Sequence, residues 1–204
     1  SPYSVKYWSI GNENYGSHEM GAKTADEWAR YVLESAKMMR RVDPEIELSV
    51  ASIPDINWNL KVLKEAGDLL NWISIHGYWS GPNEVGDYES DYSSIMAKAF
   101  EPEYLIKKTE HILGALGFLG KIKIAFDEWN LRGWCHPGFM SYSHVDHQLL
   151  DKNDINSNYT MADAVFTACF LNSCLRHCDN VQMANFSPVV NAPGAIYTHS
   201  DGIV

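Results

Sequence analysis

The sequence has no run of basic residues. Lys and Arg total 16 against 26 Asp and Glu, for a net charge of −10. Without a basic face, an acidic chain is a poor partner for nucleic acid or an anionic bilayer, and neither is expected to bind it. No apolar stretch approaches the ~18 to 20 residues of a membrane span. No glycine-rich phosphate loop follows any strand-like run, so a nucleotide-binding sheet has no support and no cofactor is expected. Internal repeats and low-complexity segments are absent too. The chain opens at Ser1-Pro2 without an initiator Met or a leader, and it stops inside the apolar run Gly202-Ile203-Val204. The expectation is an internal piece of a larger protein, which leaves localisation open.

Cysteine is scarce. Cys169, Cys174 and Cys178 share one helix-like segment, and Cys135 stands alone. Spacings of five and four do not form paired CxxC zinc knuckles. Buried or idle free thiols are the reading, which leans to a reducing, cytoplasmic compartment while localisation stays open. His136, His144 and His147 lie in a long loop with no helix to align them, so they read as polar loop residues and no metal site is expected.

Aromatic residues, by contrast, are plentiful. Seven Trp and eleven Tyr exceed what a core of this size needs. Amphipathic rings in excess suggest a cleft that stacks on a ligand, and sugars are one such ligand.

Strand-like and helix-like segments alternate strictly. Short apolar runs fall at 5–10, 45–51, 70–76, 121–126 and 180–186. Between the first two, Thr24-Ala25-Asp26-Glu27 is a capping box, followed by the stripe Ala25, Trp28, Ala29, Val32, Ala36 and Met39 up to Asp43-Pro44. Asn57 is expected to cap a short helix ending near Gly67, and Pro102 suits the first turn of the next. Thr160 and Asp163 open the last helix, after a loop from about Asn130 to Asn158. Such alternation predicts an α/β fold with a parallel sheet and crossover helices. A doubly wound sheet and a TIM (β/α)8 barrel both fit. The barrel is favoured because Asn12-Glu13, His76 with Tyr78, and Asp127-Glu128 cluster past strand C-termini, where barrel enzymes build their sites.

Glu13 follows the first strand and Glu128 the fourth, three β/α units later. Strand ends at that spacing face each other across a barrel mouth, and two facing carboxyls are the machinery of glycoside hydrolysis. Taken singly, either Glu is an ordinary solvated loop residue. Their surroundings decide between these readings: Trp8-Ser9-Ile10-Gly11-Asn12-Glu13 and Phe126-Asp127-Glu128-Trp129-Asn130.

These strings resemble glycoside hydrolase family 51, the α-L-arabinofuranosidases of the retaining (β/α)8 clan. Lys23-Thr24-Ala25-Asp26-Glu27, Ile73-Ser74-Ile75-His76 and Gly194-Ala195-Ile196-Tyr197-Thr198-His199 extend the likeness along the chain. The resemblance implies that residues 1–204 are the C-terminal part of a catalytic barrel, about strands four to eight. It implies too that the N-terminal strands and a β-sandwich domain are missing. By the same likeness Glu13 is the general acid/base and Glu128 the nucleophile. Asn12 contacts the sugar 2-hydroxyl, while His76 and Tyr78 line the pocket and position the nucleophile. Trp129 either packs under the sugar or fills the barrel top.

The implied activity is retaining, double-displacement release of terminal α-L-arabinofuranosyl residues from arabinose-containing polysaccharides or oligosaccharides. The alternatives are an endoglucanase or β-xylosidase specificity on the same machinery, or a non-catalytic carbohydrate-binding homologue. The full-length protein is expected to be a homo-oligomer. Arg132 stands where many relatives have a second Trp, and Ser187 nearest to where relatives have a Gln, so the substrate beyond the scissile bond is left open.

Overall fold

The computed structural model describes residues 3–80, 92–132, 161–189, 196, 198–199 and 202–203. Its elements run β1 (Tyr7–Ile10), α1 (Ala25–Val42), β2 (Glu47–Ala51), α2 (Ile56–Ala66), β3 (Trp72–Ser80), α3 (Tyr92–Lys98), α4 (Glu101–Ala115), β4 (Lys123–Arg132), α5 (Met161–Arg176), β5 (Val181–Phe186), β6 (Thr198–His199) and β7 (Gly202–Ile203).

Helix α1 forms as its sequence demands. The Thr24 side chain accepts from the Glu27 amide, and the Glu27 carboxylate accepts from the Thr24 amide at 2.9 Å. Asp26 and Glu27 sit in the first turn and Arg40 and Arg41 in the last, matching the helix dipole. Trp28, Ala29, Val32 and Ala36 form the buried stripe. For α2 the cap is Asp55, not Asn57: the Asp55 carboxylate accepts from the Trp58 amide at 2.8 Å, and Asn57 lies inside the helix. Either residue type can cap, and the stripe of Trp58, Val62, Leu63 and Ala66 fixes the helix without fixing its first residue.

Five strands form one parallel sheet in the order β1-β2-β3-β4-β5. Tyr7 pairs with Glu47 and Ile10 with Val50; Ser49 pairs with Trp72 and Ala51 with Ser74. The order never reverses, whereas a doubly wound sheet reverses at its switch point. β1 is an edge, and Tyr7 and Trp8 on it are about half exposed. Two strands outrun their expected ends, β3 to Ser80 and β4 to Arg132. Tyr78, Glu128, Trp129 and Asn130 therefore lie within strands rather than on the loops beyond them, and His76, expected as the last residue of its strand, lies in the middle of β3.

The chain divides into two compact units. The first joins Ser1–His76, Tyr104–Phe126 and Cys174–Met183, with a core that includes Trp28, Leu48, Ile73, Ile75, Ile106, Leu113 and Phe126. Trp28 adds a hydrogen bond from its indole N–H to the Ala51 carbonyl at 3.0 Å. The second joins Gly77–Glu103, Asp127–Ser173 and Ala184–Val204. Its core is aromatic: Trp129 stacks on Phe170 with ring centres 3.8 Å apart, and Trp79 lies 5.2 Å from Phe166. β6 and β7 pair antiparallel. No helix among the described residues is long and apolar enough to cross a membrane.

Candidate active site

In the first unit the chain leaves β1 through Gly11, whose φ of +75° suits glycine. A Cβ there would collide with Asn14 Oδ1 and the outer ring of Trp28. Buried Asn14 pins the turn: its Oδ1 accepts from the Asn12 amide at 3.0 Å, and its Nδ2 donates to the Gly21 carbonyl at 2.8 Å. This turn presents Glu13, itself left-handed at φ +44°. A non-glycine residue there costs about 1–3 kcal/mol, a strain characteristic of functional positions.

Both carboxylate oxygens of Glu13 meet an imidazole. His76 Nδ1 on β3 stands 2.8 Å from Oε1, and His18 Nε2 stands 2.7 Å from Oε2. Ser74 Oγ lies 3.3 Å from His76 Nε2, so Nε2 can accept from the hydroxyl while Nδ1 carries hydrogen and donates to Glu13. The His76 hydrogen bond, with that of His18 adding to it against the opposing effect of burial, lowers the Glu13 pKa to about 2. Glu13 is therefore a carboxylate at neutral pH in this state, whereas a general acid is expected to begin neutral. Asn12 is exposed, and its amide reaches Glu19 only at 3.5 Å.

In the second unit Tyr78 on β3 donates its hydroxyl to Glu128 Oε1 on β4 at 2.5 Å. Ser187 Oγ lies 3.2 Å from the same phenol oxygen. Ser187 is fixed in turn, since its amide donates to the Trp129 carbonyl and the buried Asn130 side chain donates to its own carbonyl at 3.1 Å. Asp127 precedes Glu128 on the strand, and successive side chains point to opposite faces, which keeps Asp127 apart from the chemistry. Trp129 needs a correction. It is 2% exposed between Phe170 and Phe186, so it packs the core and is not available to a sugar face.

The sequence reading missed His18 and Asn14. A left-handed turn folds position 18 back onto position 13, and periodicity carries no signal of that. Cys169, Cys174 and Cys178 are free thiols, as expected, and burial pushes Cys174 up to about 11. Cys135, His136, His144, His147 and Thr160 lie outside the described residues.

A family model for the α-L-arabinofuranosidase C-terminal domain matches residues 127–204. An intracellular exo-α-(1→5)-L-arabinofuranosidase of Streptomyces lividans is 31% identical over 98% of this chain. The α-L-arabinofuranosidase of Thermotoga maritima, solved in complex with arabinose, aligns over the whole chain at 32% identity with a TM-score of 0.79. A family 51 α-L-arabinofuranosidase from Bifidobacterium longum aligns over 98% at 25% identity and a TM-score of 0.74. These matches support glycoside hydrolase family 51 as the family of this chain. The chain spans 31% of the length of the Streptomyces relative, 38% of the Thermotoga chain and 41% of the Bifidobacterium chain.

Proposed function

We propose that the protein is a retaining glycoside hydrolase that releases terminal α-L-arabinofuranosyl residues, with Glu13 as acid/base and Glu128 as nucleophile. The five sequential parallel strands are strands four to eight of a (β/α)8 barrel in this reading. The Glu128 carboxylate attacks the anomeric carbon, the glycosidic C–O bond breaks, and the leaving oxygen takes a proton from Glu13. Glu13 then takes a proton from water as the water oxygen displaces Glu128, restoring both carboxyls. Asn12 meets the 2-hydroxyl of the sugar. His76 orients Glu13, and Tyr78 orients Glu128.

The observation that carries the reading is the Tyr78–Glu128 hydrogen bond. A half-buried carboxylate on a strand, one oxygen fixed by a phenol, is built for directed attack; a solvated loop Glu is not. The named activities of the relatives support arabinofuranose as the sugar. The test is hydrolysis by the full-length gene product of an aryl α-L-arabinofuranoside against an aryl β-xyloside and a soluble β-glucan. A preference for the arabinofuranoside is expected. Preference for either other substrate keeps the machinery and moves the specificity, and no turnover of any of them contradicts the proposal.

A further inference from the structure

A general acid needs one oxygen free to meet the leaving group, yet both oxygens of Glu13 are engaged. The two imidazoles are not equivalent. His76 has a side chain 9% exposed, sits on β3 and is backed by Ser74, so it is a fixture. His18 is 57% exposed on a turn, and Gly16 leaves the room its ring occupies: a Cβ on Gly16 would stand 2.6 Å from His18 Nδ1 and closer still to Cε1. Among the described residues of its unit, the titratable groups facing His18 are Glu13 and, at 4.0 Å, Glu19; His76 faces Glu13 from β3. His18 is thus the partner that can leave Oε2, and imidazole is the side chain that exchanges protons near neutral pH.

We propose that His18 is a positioning residue that stores the proton Glu13 uses, an inference that rests on the acid/base role given to Glu13 above. As substrate enters, the His18 imidazolium passes its Nε2 proton to Glu13 Oε2: the N–H bond breaks, the O–H bond forms, and neutral His18 withdraws. Glu13 gives that proton to the leaving oxygen. In the second half-reaction Glu13 takes a proton from water and returns it to His18. The cycle closes with no proton gained or lost. It also places a proton donor in direct contact with a carboxylate that rests ionised.

The test uses the full-length gene product with His18→Ala, His18→Gln and Gly16→Ala, reading kcat/KM against pH on glycosides with good and poor leaving groups. His18→Ala and His18→Gln should lose about tenfold on poor leaving groups and less than about twofold on good ones. Their basic limb should fall to lower pH by about one unit or more. Gly16→Ala, which keeps the imidazole but displaces it, should behave the same way. An unmoved basic limb, or an equal loss on all leaving groups, overturns the proposal. If the enzyme prefers another glycoside, the same comparison is made on that substrate. An arm independent of activity is the Glu13 carboxyl midpoint, followed by carbon-13 NMR. It should rise from about 2 in His18→Ala, and an unmoved midpoint overturns the proposal even if no glycoside is cleaved.

Discussion

Trp28 lies so close over Gly11 that a methyl group on Gly11 would collide with the outer edge of the indole. The indole is itself fixed by its hydrogen bond to the Ala51 carbonyl, so it cannot easily yield. One glycine therefore lets α1 pack against the turn that carries Glu13. Gly11→Ala should destabilise the full-length protein by about 2–4 kcal/mol through left-handed strain plus overpacking. Gly117→Ala is the control. Gly117 has φ +79° with nothing within 4 Å of its missing Cβ, and should cost only about 1–2 kcal/mol. Urea unfolding of both variants tests this, and equal losses would sink the packing argument.

Tyr78→Phe removes only the hydroxyl that holds Glu128. Hydrogen bonds to charged groups contribute about 1.5–3 kcal/mol, so kcat/KM should fall roughly ten- to a hundredfold with circular dichroism unchanged. A loss under twofold would mean that Tyr78 does not position Glu128.

A pH dependence follows from Glu13. Its folded pKa is depressed from 4.5 to about 2, so its contribution to stability is present above 4.5 and is lost as pH falls towards 2. Glu13→Gln should flatten the acid limb of the stability curve across that window. Parallel acid limbs for the two proteins would contradict the His76 and His18 contacts.

Cys174 is buried, with its thiol pushed up to about 11, whereas Cys178 is exposed. The thiolate is the reactive form, so limited iodoacetamide at pH 8 should label Cys178 well before Cys174. Peptide mapping that finds Cys174 labelled first would show that this end of α5 opens readily.

The sequence made some parts of this arrangement legible and hid others. The capping box at Thr24 and Glu27, together with the apolar stripe behind it, marks α1 unambiguously because capping and packing agree on one register. The strands were legible to within two residues at their starts, and the ends of β1, β2 and β5 fall where expected, but the ends of β3 and β4 were not legible. β3 and β4 continue through Tyr78, Glu128 and Asn130, polar residues that a propensity reading assigns to loops. Helix α3 and the β6–β7 pair went unread, since a seven-residue helix and two-residue strands are too short for a periodic signal. At the site, the words around Glu13 and Glu128 pointed to the carboxyls. His18 and Asn14 became visible only through the backbone, where φ of +75° and +44° at Gly11 and Glu13 turns the chain back on itself.

In the proposed mechanism Glu128 forms a covalent bond to the sugar during turnover, and trapping that bond reads it directly. Full-length gene product treated with a mechanism-based arabinofuranosyl inactivator, then digested and analysed by mass spectrometry, should carry one glycosyl unit on the peptide containing Glu128. The Glu128→Ala variant should carry none. Turnover of an arabinofuranoside with inverted configuration, or an adduct on a residue other than Glu128, would contradict the account.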